Sequence, residues 1–143
     1  MGYWLWRPTK SKVIKNFFNM NKSYPFEGLE AWKKAKELSI LVYRLVEKFP
    51  SYERYDLCSQ VRRSVISVPS NIAEGSGRIS YKEKIHFLEI AYGSLMEVYC
   101  QLIISVELNY ITNDDLEQLK PIIFETSGLI SGLRRSFEAK IIR

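Results

Sequence analysis

The stretch "YKEKIHFLEIAYGSLMEVYCQLIISV", Tyr81–Val106, decides how this chain folds. Apolar residues recur in it at steps of 4 and 3: Tyr81, Ile85, Leu88, Tyr92, Leu95, Tyr99, Leu102 and Val106. That spacing lays them along one stripe of an α-helix. Ser80, three residues before Glu83, supplies a start signal, a hydroxyl cap followed by an acid in the first turn. The pattern predicts a helix over 80–109. A seam of eight successive core positions needs other helices to pack against.

Three such helices are legible around it. One spans 26–49, with Ala31, Ala35, Leu38, Val42, Leu45 and Phe49 as its stripe, and Pro50 stops it. The next spans 51–75 with Cys58, Val61, Val65, Val68 and Ile72. The last spans 112–140 with Leu116, Leu119, Ile123, Thr126, Ile130, Leu133 and Phe137, and opens on Thr112-x-x-Asp115. Connections are short, so neighbours should run antiparallel. The fold class is therefore all-α, an antiparallel up-down-up-down four-helix bundle over 26–143.

The central helix has a second face. About 200° round from its seam it carries Phe87, Ile90, Ser94, Glu97, Gln101, Ile104 and Leu108. A solvated face would not hold four large apolar residues. Either a loop or the N-terminal arm covers part of it, or, the favoured reading, it is a subunit interface, with Phe87, Ile90 and Ile104 as apolar contacts and Ser94, Glu97 and Gln101 hydrogen-bonding across it. Small residues at Gly93, Ser94, Ser127, Gly128, Ser131 and Gly132 fit close helix packing.

The chain has 143 residues, 46% apolar, with a net charge of +5. That suits one domain with a real core. The charge excess lies in residues 1–25, which hold Arg7, Lys10, Lys12, Lys15 and Lys22 and no acid. The remaining 16 basic and 16 acidic residues balance. This N-terminal arm is basic and aromatic; Met20 leads directly into the first regular pattern and is the expected true start, with 1–19 a translational extension. No run approaches the roughly 18 consecutive apolar residues of a membrane span, and "MGYWLWRPTK" does not read as a signal peptide. The expected location is the cytoplasm, without a membrane partner.

The two cysteines, Cys58 and Cys100, form no CxxC, lie inside helical patterns and read as buried free thiols. With a single histidine, His86, there is no metal-ligand spacing. No nucleophile–base pair or paired carboxylates stand out. No catalytic residue, metal or cofactor is assigned, and the chain reads as a non-enzyme.

"SVPSNIAEGSGR", Ser67–Arg78, resembles a phosphate loop at first sight. Its glycines follow a helix rather than a strand, and no Lys-Ser/Thr ends the run. Gly75 and Gly77 read instead as a helix stop with a glycine at positive φ. Pro69 should kink the helix against the Val65 carbonyl, with Ser67, Ser70 and Asn71 satisfying the freed groups. Gln60, Arg63, Ser67, Ser70 and Glu74 line the face opposite the seam, either as a solvated stripe or as a binding face.

Topology sorts the charges. One end of an up-down bundle gathers the start of the first and third helices and the end of the second and fourth. It collects Lys33, Lys34, Lys36, Arg78, Lys82, Lys84, Arg134, Arg135, Lys140 and Arg143 against Glu27, Glu30, Glu37, Glu74, Glu83 and Glu138. That end should attract a phosphate-rich partner. Lys82, Lys84, Arg134 and Arg135 are its nucleic-acid-binding candidates.

"FEGLEAWKKAKEL", "SQVRRSVISVPSNIAEGSGR", "FLEIAYGSLMEVYCQL" and "LNYIT" occur in this order. Over about residues 26–138 the chain resembles the bacterial four-helix-bundle proteins first noticed as reading frames in intervening sequences of 23S rRNA genes. It is more distantly similar to the accessory variability proteins of diversity-generating retroelements. The resemblance implies a left-handed bundle, a ring-shaped homopentamer, and a role near structured RNA or a reverse transcriptase. It carries no catalytic residue. The basic residues within its motifs are Arg62, Arg63 and Arg78, which join the nucleic-acid-binding candidates. The 1–25 arm and Pro121 inside the fourth helix depart from the family pattern. The reading with most support is an oligomeric RNA- or ribonucleoprotein-associated bundle; the alternative is a protein-interaction scaffold such as a reverse-transcriptase accessory subunit.

Overall fold

The computed structural model describes residues 22–142; the 1–21 portion of the basic arm, the expected start at Met20 and Arg143 lie outside the described residues. Four α-helices carry the fold: α1 (Glu30–Leu45), α2 (Leu57–Ser76), α3 (Tyr81–Glu107) and α4 (Asn113–Ile141). No strand occurs among the described residues. Short 3-10 turns at Pro25–Gly28, Val46–Lys48 and Ser51–Glu53 trim α1 and delay the start of α2. Asp56 precedes α2 without capping it by its side chain. Glu53 Oε2 accepts the Leu57 N–H instead, at 3.1 Å, so the helix begins one turn past Glu53.

Neighbouring helices run antiparallel. Arg134 reaches Glu89 at one level of α3/α4, and Tyr99 meets Phe124 at another. Lys34 pairs with Glu125, and Lys48, past the end of α1, pairs with Asp115 at the start of α4. Ser67 and Ser94 join α2 to α3, and Ser39 joins α1 to α2. Each helix thus touches two neighbours around a closed square.

The stripes expected on α1 and α2 are all buried, and so are Leu116, Leu119, Ile123, Thr126 and Ile130 on α4. α3 differs. Its buried line is Leu88, Ala91, Leu95, Val98, Leu102 and Ser105. Tyr92 and Tyr99, expected in the seam, sit on the α4 flank, with Tyr92 39% exposed. A helix wedged between two neighbours buries the residues that bisect them, and small Ala91, Val98 and Ser105 fit the narrow α2 side. Cys58 is buried as expected, but Cys100 is exposed, because it falls on the outer face of α3.

α3 is also the one helix among the described residues long and apolar enough, by composition, to cross a membrane, with a mean hydropathy of 1.3 over 18 residues. Single residues break the apolar run, which is why consecutive counting passes it over. Only 39% of that window is buried, so the helix keeps a large uncovered apolar face.

Pro69 lies within an unbroken α2. Proline lacks the N–H that would bond Val65, so that carbonyl needs another donor. Ser39 Oγ of α1 lies 3.2 Å from it and shares its one proton between this carbonyl and Ala35 O of its own helix, at 2.8 Å. The expected local rescue by Ser67 or Ser70 is not what serves Val65; Asn71 Nδ2 instead donates to the Ser67 carbonyl at 2.7 Å. Pro121 likewise lies within a continuous α4.

The helix stop falls at Gly77 as expected, but without the positive φ. Gly75 lies inside α2, Gly77 caps it at φ −82°, and no described glycine has positive φ. Among the described residues, the one in the left-handed region is Asn109 at φ 60°, in the α3–α4 turn. Asparagine tolerates that conformation better than other non-glycine residues.

Both expected hydroxyl caps form. Ser80 Oγ accepts from Glu83 N, and Thr112 Oγ1 accepts from Asp115 N at 3.1 Å. Asp115 returns the bond, taking Thr112 N at 2.9 Å, and its other oxygen holds Lys48 at 2.8 Å. The Lys48 hydrogen bond, followed by the Thr112 N–H, holds the Asp115 carboxyl below its ordinary value of 3.8. Asp115→Asn should cost about 1 kcal/mol at neutral pH, the usual worth of such a cap. Since the folded value is the lower one, this stability is present above the ordinary carboxylate value and is lost as pH falls through the folded value. Chemical denaturation of both proteins should show the gap closing in that acid window; a gap unchanged by acid would refute the assignment.

Candidate nucleic-acid and subunit interfaces

The basic end is built from α2, α3 and α4. Lys84 Nζ donates to the Ser76 carbonyl at the α2 terminus, 2.9 Å away, and lies 5.9 Å from the Phe137 ring centre. Lys140 sits 5.1 Å above Tyr81 and 5.9 Å from Phe137, and the two rings are 5.7 Å apart. Arg78 covers Phe87 at 4.6 Å while pairing with Glu74 at 2.9 Å. Cations held over rings keep their charge while their stems cover apolar surface.

The acids of this end are engaged locally. Glu30 takes Lys33, Glu37 takes Lys34, Glu74 takes Arg78, and Glu138 takes Arg134. Glu27 accepts from Tyr24 N, and Glu83 accepts from the Ser80 hydroxyl. Among the described residues, Lys36, Lys82, Lys84, Arg135 and Lys140 have no carboxylate within ion-pairing distance. A cation that has no carboxylate to leave gains most from a phosphate.

Of the candidate cations, Arg78, Lys82 and Lys84 meet at this end, with Arg135 on the facing part of α4. Arg134, next to it in sequence, is engaged by Glu138 at 3.3 Å and by Glu89 of α3 at 3.9 Å. Arg62 and Arg63 are not part of it; they sit mid-α2, roughly 24 Å along the axis from Arg78, on different sides of the helix. Sequence reasoning counts Lys140 among the charges of the end but not as a site residue. Tyr81 and Phe137, which frame it, look like core positions because their spacing continues the seams.

The outer face of α3 divides in two. Phe87 and Ser94 turn toward α2 within the chain, against Gly75 and Ser67. Ser94 Oγ and Ser67 Oγ are 2.8 Å apart, and Gln101 is buried with its Oε1 lacking a hydrogen-bond partner. Ile90, Glu97 and Ile104 remain outside, at 38% and 44% exposure for the two isoleucines. Glu97 Oε1 accepts from Gln101 Nε2 at 3.2 Å. The α2 stripe and this face enclose a polar cleft of about 300 Å³ between Gln60, Arg63, Ser64, Ser67, Ser94 and Glu97.

A second apolar surface is not legible in the sequence. Ile40, Tyr43 and Ile66, all 40–47% exposed, line a groove of about 620 Å³ between α1 and α2. Arg62 lies across it, 5.7 Å from the Tyr43 ring, with its Nε buried and without a hydrogen-bond partner. Ile40 and Ile66 sit beside the core stripes, so a pattern reading takes them as stripe edges.

Among the described residues no group of three or more His, Cys, Asp or Glu side chains converges to hold a metal ion. No curated protein matches the chain. A crystal structure of a protein of unknown function from the S23 ribosomal protein family of Bacteroides thetaiotaomicron is similar in fold. It has a TM-score of 0.67 at 22% identity, covering 73% of this chain and 97% of that one. The model of one family, described as the 23S rRNA-intervening sequence protein, matches residues 27–132 and so reaches into all four helices, and the chain belongs to that family.

Proposed function

We propose that this protein is a non-enzymatic, oligomeric, cytoplasmic bundle that associates with structured RNA or a ribonucleoprotein. The observation that carries this reading is the basic end. Among the described residues, Lys82, Lys84, Arg135 and Lys140 have no carboxylate within ion-pairing distance, and Tyr81, Phe87 and Phe137 lie among the cations. Such a surface contacts phosphates and reads little sequence. Family membership supports RNA as the polyanion. The resemblance supports a ring-shaped homopentamer, and the uncovered face of α3 supports self-association.

The test is a salt series of binding to structured RNA. Binding should weaken at least about tenfold between 50 and 200 mM salt, as counterion release requires for several phosphate contacts. The K82E/R135E/K140E variant should bind at least about a hundredfold more weakly and lower the salt slope by about 3. Salt-independent affinity, or none near 50 mM salt, would reject the reading. The scaffold alternative, an accessory subunit for a reverse transcriptase, draws on the α1/α2 groove as a protein-docking surface. A reverse-transcriptase gene with a variable repeat beside this one would favour it; a place within a ribosomal RNA gene favours the first reading.

A further inference from the structure

We infer that the basic end selects unpaired nucleotides in its RNA, a base packing on Tyr81 and Ile79 while the flanking phosphates take Lys82 and Lys140. The inference rests on the RNA reading above and names the part of the RNA that this end takes. Ile79 lies between Arg78 and the Ser80 cap and is 96% exposed, and Ile142, past the end of α4, is exposed too. Tyr81, the first residue of α3, keeps 37% of its surface exposed, with its ring 5.7 Å from that of Phe137. A lone exposed apolar residue is ordinary. Here several lie at the end that also gathers cations, with Lys140 5.1 Å over Tyr81 and Lys82 one residue further on.

This mixture selects the form of the RNA. Cations serve every form, because every form presents phosphates. Apolar side chains gain little from the flank of an A-form duplex, whose base faces are stacked inside and whose grooves display hydroxyls and base edges. An unpaired nucleotide offers both an uncovered base face and an adjoining phosphate. Among the described residues Lys140 has no carboxylate within ion-pairing distance, so it can leave the Tyr81 face for a phosphate as a base arrives. Lys84 Nζ, bonded to the Ser76 carbonyl at 2.9 Å, closes the turn that carries Ile79. Stacking tolerates any base, so the choice is of unpaired over paired RNA and not of one sequence.

Binding of the intact chain to a long blunt RNA duplex, and to the same duplex with a single-stranded tail, tests this. The tailed RNA should bind at least about tenfold more tightly, within what stacking of one base supplies. Tyr81→Ala and Ile79→Ser should each remove most of that preference. Both should leave duplex affinity and the salt slope at wild-type values, because no charge is removed. Tyr81→Phe, which keeps the ring, should retain the preference. Ile79 is so exposed that its replacement should leave the thermal midpoint unchanged. Equal affinity for the two RNAs, or a preference kept in Tyr81→Ala or in Ile79→Ser, would overturn the inference and leave the RNA reading standing. Vesicles of anionic phospholipid are the counter-probe. Binding to them in place of the tailed RNA, lost in Ile79→Ser, would overturn the inference in favour of a lipid surface. No binding to either RNA at about 50 mM salt would reject the RNA reading itself.

Discussion

Leu95→Ala should cost the bundle about 2–5 kcal/mol, the range for truncating a fully buried leucine. Leu95 has no exposed surface and lies at the middle of α3, where the helix faces the bundle interior. Its neighbours cannot collapse into the gap without moving helices held on two sides, so the upper part of the range is expected. Tyr92→Ala should cost well under half as much, because that ring lies on the flank and is 39% exposed. Ala91→Leu separates the alternatives further. Ala91 is fully buried, so three extra carbons should overpack the α2 side by about 1–3 kcal/mol. Denaturant titrations at one protein concentration would measure all three. If Tyr92→Ala matched Leu95→Ala and Ala91→Leu were neutral, the seam would instead be the tyrosine-bearing stripe.

The difference between those stripes shows what a single sequence conveys. α1, α2 and α4 set their apolar stripes against more polar faces, so spacing finds most of their buried residues, although Leu133 and Phe137 at the end of α4 are only partly buried. α3 has apolar residues on nearly every side. With Tyr92 and Tyr99 at helical spacing from Leu88, Leu95 and Leu102, periodicity cannot say whether the tyrosines or Ala91 and Val98 turn inward; only the positions of α2 and α4 decide. The same limit hides the donor to the Val65 carbonyl. Ser39 is 26 residues away, and local hydrogen-bonding habits point to Ser67 or Asn71. The basic end is legible because antiparallel topology is enough to sort charges. Which cations stay without carboxylates depends on side-chain reach, as with Glu37 taking Lys34 and leaving Lys36 over Trp32 at 4.8 Å.

Gly75→Val should be the most damaging change in the "SVPSNIAEGSGR" stretch. A Cβ at Gly75 would stand 2.9 Å from Phe87 Cβ and 3.3 Å from the Lys84 carbonyl oxygen. Neither obstacle is the end of a flexible side chain; both are fixed to the α3 backbone. Alanine gains roughly 0.5–1 kcal/mol over glycine inside a helix. Overpacking of this kind costs about 1–3 kcal/mol, so Gly75→Ala should be net destabilising. Valine adds two methyl groups in the same gap and should cost more than 3 kcal/mol, at about the upper limit for overpacking. Gly128→Ala is the control, since its Cβ would meet nothing within 4 Å and only the helix gain of roughly 0.5–1 kcal/mol remains. Opposite signs for the two alanine variants in thermal unfolding are the expected result, and a stabilising Gly75→Ala would refute the close contact. The contact also bears on function. Lys84 and Phe87, which crowd Gly75, are the residues that hold the α2 terminus and carry Arg78. Prying α2 from α3 here should spread the cations of the basic end, so the folded fraction of Gly75→Val should bind RNA more weakly although no charge has been removed.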